Sequence, residues 1–149
     1  MLIIHCIAIL VSMLLCLLVT ERYEFVNVRG ESMLPTLQNG SIGAVANSRH
    51  LVRGDIVVVQ PFSTGDQLVK RIVGMPGELV VVQNGEVYCD GKKIEEDYVK
   101  FNSIVEYWEV LLEPDEYFIL GDNREDSLDS RYFGPVKCEC IVGKFYALF

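Results

Sequence analysis

The pattern of hydrophobic and polar residues changes once along the chain, near residue 20. Residues 2–19 read LIIHCIAILVSMLLCLLV, eighteen positions without a formal charge. A helix of that length rises about 27 Å, close to the roughly 30 Å hydrocarbon core of a bilayer. No Lys or Arg precedes this run and no small-x-small cleavage site follows it, so a cleaved secretory signal fits poorly. A buried helix of a soluble protein is the other alternative, but little in the chain could cover it on all sides. The pattern therefore predicts an uncleaved membrane anchor over residues 1–20.

Residues 21–149 show the short period-two runs that are typical of half-buried strands. Asn84-Gly85 separates two such runs and is a strong hairpin signal, and Asp90-Gly91 marks a second turn of the same kind. No segment in this part of the chain has a sustained helical period. The sequence therefore predicts an all-β domain with a barrel-like or sandwich core. The predicted strands are 23–28, 54–59, 67–73, 80–83, 86–89, 104–112, 116–120 and 140–149.

Charge and histidine content exclude several classes of function. The net charge of −8 falls entirely on residues that follow the apolar run, and a nucleic-acid partner would require a basic face instead. The two histidines, His5 and His50, lie in the apolar run and in a polar loop, which disfavours a zinc site. The acidic cluster between Asp122 and Asp129 does not have the spacing of an EF-hand. We therefore expect no metal, no cofactor and no nucleic-acid partner.

The five cysteines form an odd set. Cys6 and Cys16 lie in the apolar run and are expected to behave as small hydrophobic residues. Cys138 and Cys140 are two positions apart, so within a strand they would share one face. A disulfide from Cys89 to one of these two is compatible with an oxidising compartment, but the sequence does not choose between them.

Lysine is the candidate general base of this chain. A Ser-His-Asp triad would need a histidine in the β domain, and His50 is more typical of a solvated loop residue. Lys70 lies in a β-branched, apolar strand, where it would share a face with Leu68 and Ile72 while Arg71 points away. Burial among apolar side chains lowers the pKa of a lysine by several units, which makes the neutral amine available. The alternative is an edge-strand lysine that faces solvent.

Ser32 is the candidate nucleophile. It follows a predicted strand and lies in a turn between Gly30 and Pro35. Such a turn can present a hydroxyl beside free backbone N–H groups, which are the donors that a tetrahedral oxyanion requires. Taken alone, a serine in a glycine- and proline-containing turn is more often an ordinary turn residue.

Four segments resemble bacterial type I signal peptidases, and they occur in the order found in that family. They are RGESMLPTL at 29–37, RGDIVV at 53–58, KRIVGMPGE at 70–78 and GDNREDSLDSRYFG at 121–134. Together with the apolar run they extend over nearly the whole chain. The resemblance implies a serine protease with a Ser-Lys dyad, a β-rich catalytic domain of signal peptidase type and one N-terminal transmembrane helix. The single short anchor and compact domain are similar to the Gram-positive branch.

The resemblance also implies roles for individual residues. Ser32 corresponds to the nucleophile and Lys70 to the general base. Ser127 corresponds to a hydroxyl that orients the lysine amine through a hydrogen bond. Asp129 and Arg131 correspond to a supporting ion pair that holds this loop near the active site. Without the resemblance they would be interpreted as a surface pair of little energetic consequence.

The oxyanion and substrate sites are expected on the same segments. Gly30 stands where some family members carry an oxyanion-binding serine, so the Ser32 N–H remains as a donor, with a second from the Gly30 backbone. An extended substrate is expected to pair with strand edges at residues 26–29 and 67–70. Shallow apolar pockets that accept small side chains are expected from Val26, Val28, Met33, Leu37 and Leu68.

The function that follows from the resemblance is removal of signal peptides from exported preproteins after a small-x-small site. The expected partners are exported preproteins and the lipid bilayer. The expected location is the cell membrane, single-pass, with residues 21–149 on the extracytoplasmic side. Two alternatives remain open: another Ser-Lys protease, such as a dedicated maturation enzyme or a LexA-like regulator, and a non-catalytic membrane-anchored β module that binds exported chains.

Overall fold

The structure is a computed structural model that describes residues 5, 7, 9, 11–13, 23–48, 50–100 and 107–148. Eleven strands, one short helix and one 3₁₀ turn make up the β-rich part. The strands are β1 (Tyr23–Asn27), β2 (Ile42–Ala46), β3 (Ile56–Val59), β4 (Leu68–Gly74), β5 (Leu79–Gln83), β6 (Glu86–Cys89), β7 (Lys92–Lys93), β8 (Tyr107–Leu111), β9 (Glu116–Leu120), β10 (Val136–Lys137) and β11 (Ile141–Ala147). Helix α1 is Ser130–Phe133 and the 3₁₀ turn is Cys138–Cys140.

The larger sheet has seven antiparallel strands in the order β1-β2-β11-β3-β4-β9-β10. Its central strand β3 is the β-branched run IVVV and is buried on both faces. Val58 packs into one hydrophobic cluster, whereas Val57 and Val59 pack into another on the opposite side. Alternate burial on both faces explains why this strand is a continuous apolar run and not a polar-apolar alternation.

The smaller sheet has four antiparallel strands in the order β7-β6-β5-β8. Both predicted turns are present: φ is positive at Asn84 (50°) and Gly85 (77°), and again at Asp90 (49°) and Gly91 (75°). Two consecutive positive φ angles are the geometry of a tight two-residue hairpin that matches the strand twist. The two sheets share a third hydrophobic cluster, made by Val73, Val80, Val82, Val87, Cys89, Leu112, Phe118 and Leu120.

The predicted predominance of β-structure is confirmed, but the barrel-like alternative is not. Within the described residues the larger sheet is open, because β1 and β10 each pair with one neighbour and not with each other. Strand β2 and the short helix α1 were not predicted. Of the predicted strand 104–112, residues 104–106 lie outside the described part of the chain.

The cysteines differ from the sequence prediction. Cys138 and Cys140 lie in the 3₁₀ turn and therefore do not share a strand face. Cys89, Cys138 and Cys140 are all free thiols, so the structure contains neither of the two bridges from Cys89. Burial raises the pKa of the Cys89 thiol to about 11, which keeps it protonated and unreactive at neutral pH.

Most of the predicted anchor over residues 1–20 lies outside the described residues. Positions 5, 7, 9 and 11–13 are helical and exposed. Among the residues that the structure describes, no helix is both long and apolar enough to cross a membrane.

Candidate active site

Ser32 lies in a turn between β1 and β2 that is anchored in the core by its own neighbours. Met33 and Leu37 are buried with Val45 and Phe145 in the cluster beneath the turn, and the Leu37 N–H donates to the Met33 carbonyl at 2.9 Å. Neither residue lines the cleft described below, and their part in a substrate pocket stays a prediction. Their apolar side chains pack the turn against the core, which leaves the Ser32 hydroxyl at its surface.

Lys70 points from β4 directly to this hydroxyl. Its side chain is buried at 3% exposure, and Nζ lies 2.7 Å from Ser32 Oγ and 3.0 Å from the Val69 carbonyl oxygen. Burial lowers the pKa of Lys70 to about 8, although the Asp129 and Asp122 carboxylates act in the opposite direction. At that pKa about one molecule in ten carries a neutral amine at pH 7. The pair therefore consists of a hydroxyl and an amine that can accept its proton.

Ser127 is buried close to the pair, without the predicted hydrogen bond to the lysine. Its Oγ has no hydrogen-bond partner within the described part of the chain. The hydroxyl packs against Gly121, where an added Cβ would lie 2.2 Å from Ser127 Oγ and 2.5 Å from the Ser32 carbonyl oxygen. Gly121 thus allows Ser127 and the Ser32 backbone to approach one another closely.

Asp129 and Arg131 form a buried, two-pronged ion pair. Arg131 Nε lies 2.8 Å from Asp129 Oδ1 and Nη2 lies 2.9 Å from Oδ2. The same carboxylate accepts from the Gly121 N–H at 3.0 Å and caps helix α1. Because both side chains are almost fully buried, the alternative of an unimportant surface pair is wrong. The pair connects the two ends of the segment 121–131, which we call the catalytic loop.

A second buried ion pair, not predicted from the sequence, joins Arg71 to Asp122. Arg71 Nε and Nη2 donate to the Asp122 carboxylate at 2.8 and 2.6 Å, and the Thr36 hydroxyl donates to the same group at 2.5 Å. Asp122 is completely buried. One carboxylate therefore joins the strand of Lys70, the turn of Ser32 and the catalytic loop. The one sequence feature that could have indicated this pair is Arg71 itself, a charged residue directly after Lys70 in an apolar strand.

Of the two predicted oxyanion donors, the Gly30 N–H is engaged by the described residues and the Ser32 N–H is not. The Gly30 N–H donates to Asn39 Oδ1 at 3.1 Å, so the prediction that the Gly30 backbone supplies a second oxyanion donor is not supported by this geometry. The Ser32 N–H has no backbone acceptor within the described residues. Asn123 fixes the turn from the other side, with its N–H donating to the Ser32 carbonyl at 3.0 Å and Nδ2 to the Glu31 carbonyl at 3.2 Å.

A cleft of about 390 Å³ opens at the Ser32–Lys70 pair. Its walls are residues 26–29 and 67–70, with Ser32 and Val58 between them. Strand β1 pairs with β2 alone, and β4 pairs with β9 only from Arg71 onward. Both walls therefore carry backbone groups without a ladder partner among the described residues. Of the five predicted pocket residues, Val26, Val28 and Leu68 line this cleft.

The site holds no cluster of metal ligands within the described residues, since no three His, Cys, Asp or Glu side chains converge there or elsewhere in that part of the chain. The chemistry that the arrangement can perform is nucleophilic attack by a serine hydroxyl on an extended chain, with an amine as proton acceptor.

Comparison with known proteins places this chain in one family. The family described as signal peptidase, peptidase S26, matches residues 1–149. The chain is 36% identical over 132 residues to the probable signal peptidase I-2 of Synechocystis. This alignment covers 82% of the chain and 61% of that relative. It is 34% identical over 139 residues to signal peptidase I P of Bacillus subtilis subsp. natto, covering 83% of the chain and 75% of that relative.

The fold is also that of a solved signal peptidase. A crystal structure of a signal peptidase I from Enterococcus faecalis matches with a TM-score of 0.57 and 30% sequence identity. The match covers 64% of this chain and 97% of that one. The mostly β fold with antiparallel sheets therefore matches that of a signal peptidase.

Proposed function

Since the chain belongs to the signal peptidase family, peptidase S26, we propose that it is a serine endopeptidase that removes signal peptides from exported preproteins. The observation that carries this proposal is the buried Lys70 amine 2.7 Å from the Ser32 hydroxyl, at the end of an open cleft. Ser32 is the nucleophile and Lys70 is the general base in this mechanism.

The reaction follows from the placement of these two groups. Neutral Lys70 accepts the Ser32 proton as Oγ attacks the scissile carbonyl carbon. The Ser32 N–H donates to the oxyanion that forms. Lys70 then gives its proton to the leaving amine, which leaves an acyl-enzyme. Water hydrolyses the ester with Lys70 again acting as base.

The cleft supports an extended substrate strand as the second element of the proposal. Unpaired backbone groups on residues 26–29 and 67–70 can hydrogen-bond to a chain that lies between them. The side chains of Val26, Val28 and Leu68 then face alternate substrate residues. In this proposal the three apolar side chains form shallow pockets that favour small substrate side chains, which corresponds to cleavage after a small-x-small site.

Three further residues support the dyad in this proposal. The Ser127 hydroxyl is buried beside Ser32 and Gly121 without a hydrogen-bond partner among the described residues, and in this proposal it orients the Lys70 amine. The Asp129–Arg131 pair holds the catalytic loop on which Ser127 lies. All three act by positioning, and none touches the scissile bond.

The location of the enzyme is also part of the proposal. Residues 1–20 anchor the chain in the cell membrane as a single span, and residues 21–149 lie on the extracytoplasmic side. Exported preproteins present their cleavage sites there, and their own apolar segments keep the scissile bond close to the bilayer. The uncharged run of residues 2–19 supports this placement.

The pH profile of cleavage is the direct test of the mechanism. The rate at saturating peptide should rise between pH 7 and 9, with half of its maximum near pH 8, because only the neutral form of Lys70 acts as base. The substrate is a quenched fluorescent peptide with an Ala-x-Ala site, and mass spectrometry locates the cut. The matched control peptide carries Phe in place of the second Ala and should remain uncut. A folded wild type that cuts neither this peptide nor a whole preprotein would contradict the proposal and favour the binding module.

Gly121→Ala should reduce cleavage about 10- to 100-fold with a modest loss of stability. The added Cβ would lie 2.2 Å from Ser127 Oγ and 2.5 Å from the Ser32 carbonyl, so one of these groups must move. A displacement of about 1 Å at an active site is enough for a loss of this size. Gly74→Ala is the matched control, since its Cβ would meet Val80 at 2.5 Å and Phe118 at 2.8 Å in the hydrophobic cluster between the two sheets. Equal loss of activity in the two variants, at equal melting temperature, would show that Gly121 has no local role.

A further inference from the structure

Among the described residues the smaller sheet contributes none to the lining of the cleft, yet a loop from it reaches the catalytic loop. This loop follows β7 and carries Glu96 and Tyr98. Glu96 forms an ion pair with Arg124, with Oε1 2.5 Å from Nη2 and Oε2 3.2 Å from Nη1. Both side chains are nearly buried, at 9% and 2% exposure. The Tyr98 hydroxyl donates to Glu96 Oε1 at 2.8 Å.

The Arg124 end of this contact leads to both ends of the catalytic loop. Arg124 Nε donates to the Gly121 carbonyl at 2.9 Å. The Arg124 carbonyl in turn accepts from Arg131 Nη1 at 2.9 Å. Glu96 therefore fixes Arg124, whose side chain contacts the start of the loop and whose backbone carbonyl contacts Arg131 of the buried Asp129–Arg131 pair.

The Tyr98 end leads to the strand of Lys70. The guanidinium carbon of Arg71 lies 4.0 Å above the centre of the Tyr98 ring, a distance at which a cation and an aromatic face attract each other. Arg71 directly follows Lys70 and holds Asp122 through two hydrogen bonds. The two side chains thus contact both halves of the active-site scaffold from one loop.

From these contacts we infer that Glu96 and Tyr98 are positioning residues that hold the catalytic loop closed over Lys70. This inference rests on the proposed function and adds to it a role for the smaller sheet. The sheet acts as a clamp with two contact points, Arg124 in the catalytic loop and Arg71 directly after Lys70.

The direction of a pKa change separates this role from a simple charge effect. The charged groups that act on Lys70 are Asp129, Asp122, Arg131 and Asp126. Loss of the Glu96 negative charge would by itself lower the pKa of Lys70, because the protonated form of Lys70 would no longer be attracted by that carboxylate. Loosening of the loop admits water to the amine, relieves the effect of burial and raises the pKa. An upward shift is therefore specific to the clamp.

The test compares Glu96→Gln and Tyr98→Leu with Glu95→Gln, an exposed neighbour on the same loop. Both clamp variants should lower kcat by about 5- to 30-fold, the range of a coupling of 1–2 kcal/mol. KM should change by less than about twofold because no substrate contact is lost. The half-maximum of the kcat profile should move to higher pH. Tyr98→Phe keeps the ring over Arg71 and should remain closer to wild type than Tyr98→Leu.

A second readout keeps the inference independent of cleavage. The pH dependence of Lys70 acylation by a small amine-reactive reagent, followed by mass spectrometry, gives the pKa of Lys70 without any substrate. An upward shift in both clamp variants and none in Glu95→Gln supports the clamp. An unchanged or lowered pKa in folded clamp variants would overturn it, even if kcat falls. Failure of the wild type to cleave any peptide would overturn the proposed function, while the acylation measurement still decides the clamp.

Discussion

Replacing Lys70 with Met should abolish cleavage and, at the same time, increase the free energy of unfolding at neutral pH. Loss of the general base is expected to reduce the rate by at least about a thousandfold. The gain in stability has a different origin. Burial lowers the pKa of Lys70 from 10.5 to about 8, which corresponds to a cost of about 3 kcal/mol for keeping the ammonium in the fold. Met is apolar and of similar length, so it removes that cost.

The stability gain should depend on pH in a defined direction. Below pH 8 the amine is charged in both the folded and the unfolded protein, and the folded state carries the full cost. Between pH 8 and 10.5 the folded state releases the proton before the unfolded state does, so wild-type stability rises and the advantage of Lys70→Met disappears. The lost hydrogen bonds to Ser32 and Val69 offset part of the gain, which makes 3 kcal/mol an upper value.

The control for Lys70→Met is Lys93→Met, which removes a half-exposed lysine from the smaller sheet. It should retain full activity and leave the stability close to that of wild type, because a solvent-exposed ion pair contributes little. Urea unfolding at pH 7 and pH 10 measures both stabilities, and peptide hydrolysis measures the activity. A Lys70→Met protein that is less stable than wild type at pH 7 would show that Lys70 is not held at a cost. One that still cuts would exclude it as the base.

Asp122→Asn should be the most destabilising single change near the site. The carboxylate is completely buried and accepts two hydrogen bonds from Arg71 and one from Thr36. Removal of one partner from a buried ion pair costs about 3–5 kcal/mol because the other charge remains uncompensated. For a chain of this size that cost lowers the melting temperature by about 10 °C.

Activity should fall with Asp122→Asn even where the protein is fully folded. The Ser32 turn and the Lys70 strand lose the carboxylate that joins them, so the nucleophile and the base no longer have a fixed separation. We expect at least a tenfold fall in kcat at 20 °C, since misplacement of about 1 Å can cost a hundredfold. Asp115→Asn, at an exposed position, serves as control. If circular dichroism shows that Asp122→Asn melts within 2 °C of that control, the buried Arg71–Asp122 pair does not stabilise the fold.

Local signals made most of the fold predictable. Strand β9 has the predicted bounds, and β5 and β6 differ from prediction by one residue at most, because Asn84-Gly85 fixes where each must end. Strand β2 was missed because its sequence, IGAVA, has few β-branched residues and a glycine. That glycine makes room for the Phe145 ring, which a Cβ would overlap. The reason for a glycine at this position is therefore a tertiary contact, which the local sequence pattern does not show.

The two residues of the dyad were easier to predict than the contacts that hold them in place. Ser32 and Lys70 carry signals in their own segments, a glycine–proline turn and an apolar strand. The Arg71–Asp122 pair joins residues 51 apart, and nothing local says that they meet. The same limit applies to Met33 and to the Gly30 N–H. An apolar side chain can face a pocket or the core, and a backbone donor can be engaged by a distant Asn39. Only the packed structure distinguishes these.

The register of β3 with β4 limits which changes of chain length this protein can tolerate. Val57 lies opposite Lys70 and Ile56 lies opposite Arg71. Removal or addition of one residue within β4 would exchange the two cations, because successive side chains point to opposite faces. A guanidinium stays protonated at every physiological pH and cannot act as a base. Insertions and deletions must therefore be confined to the loop before this strand, where residues 63–67 are exposed.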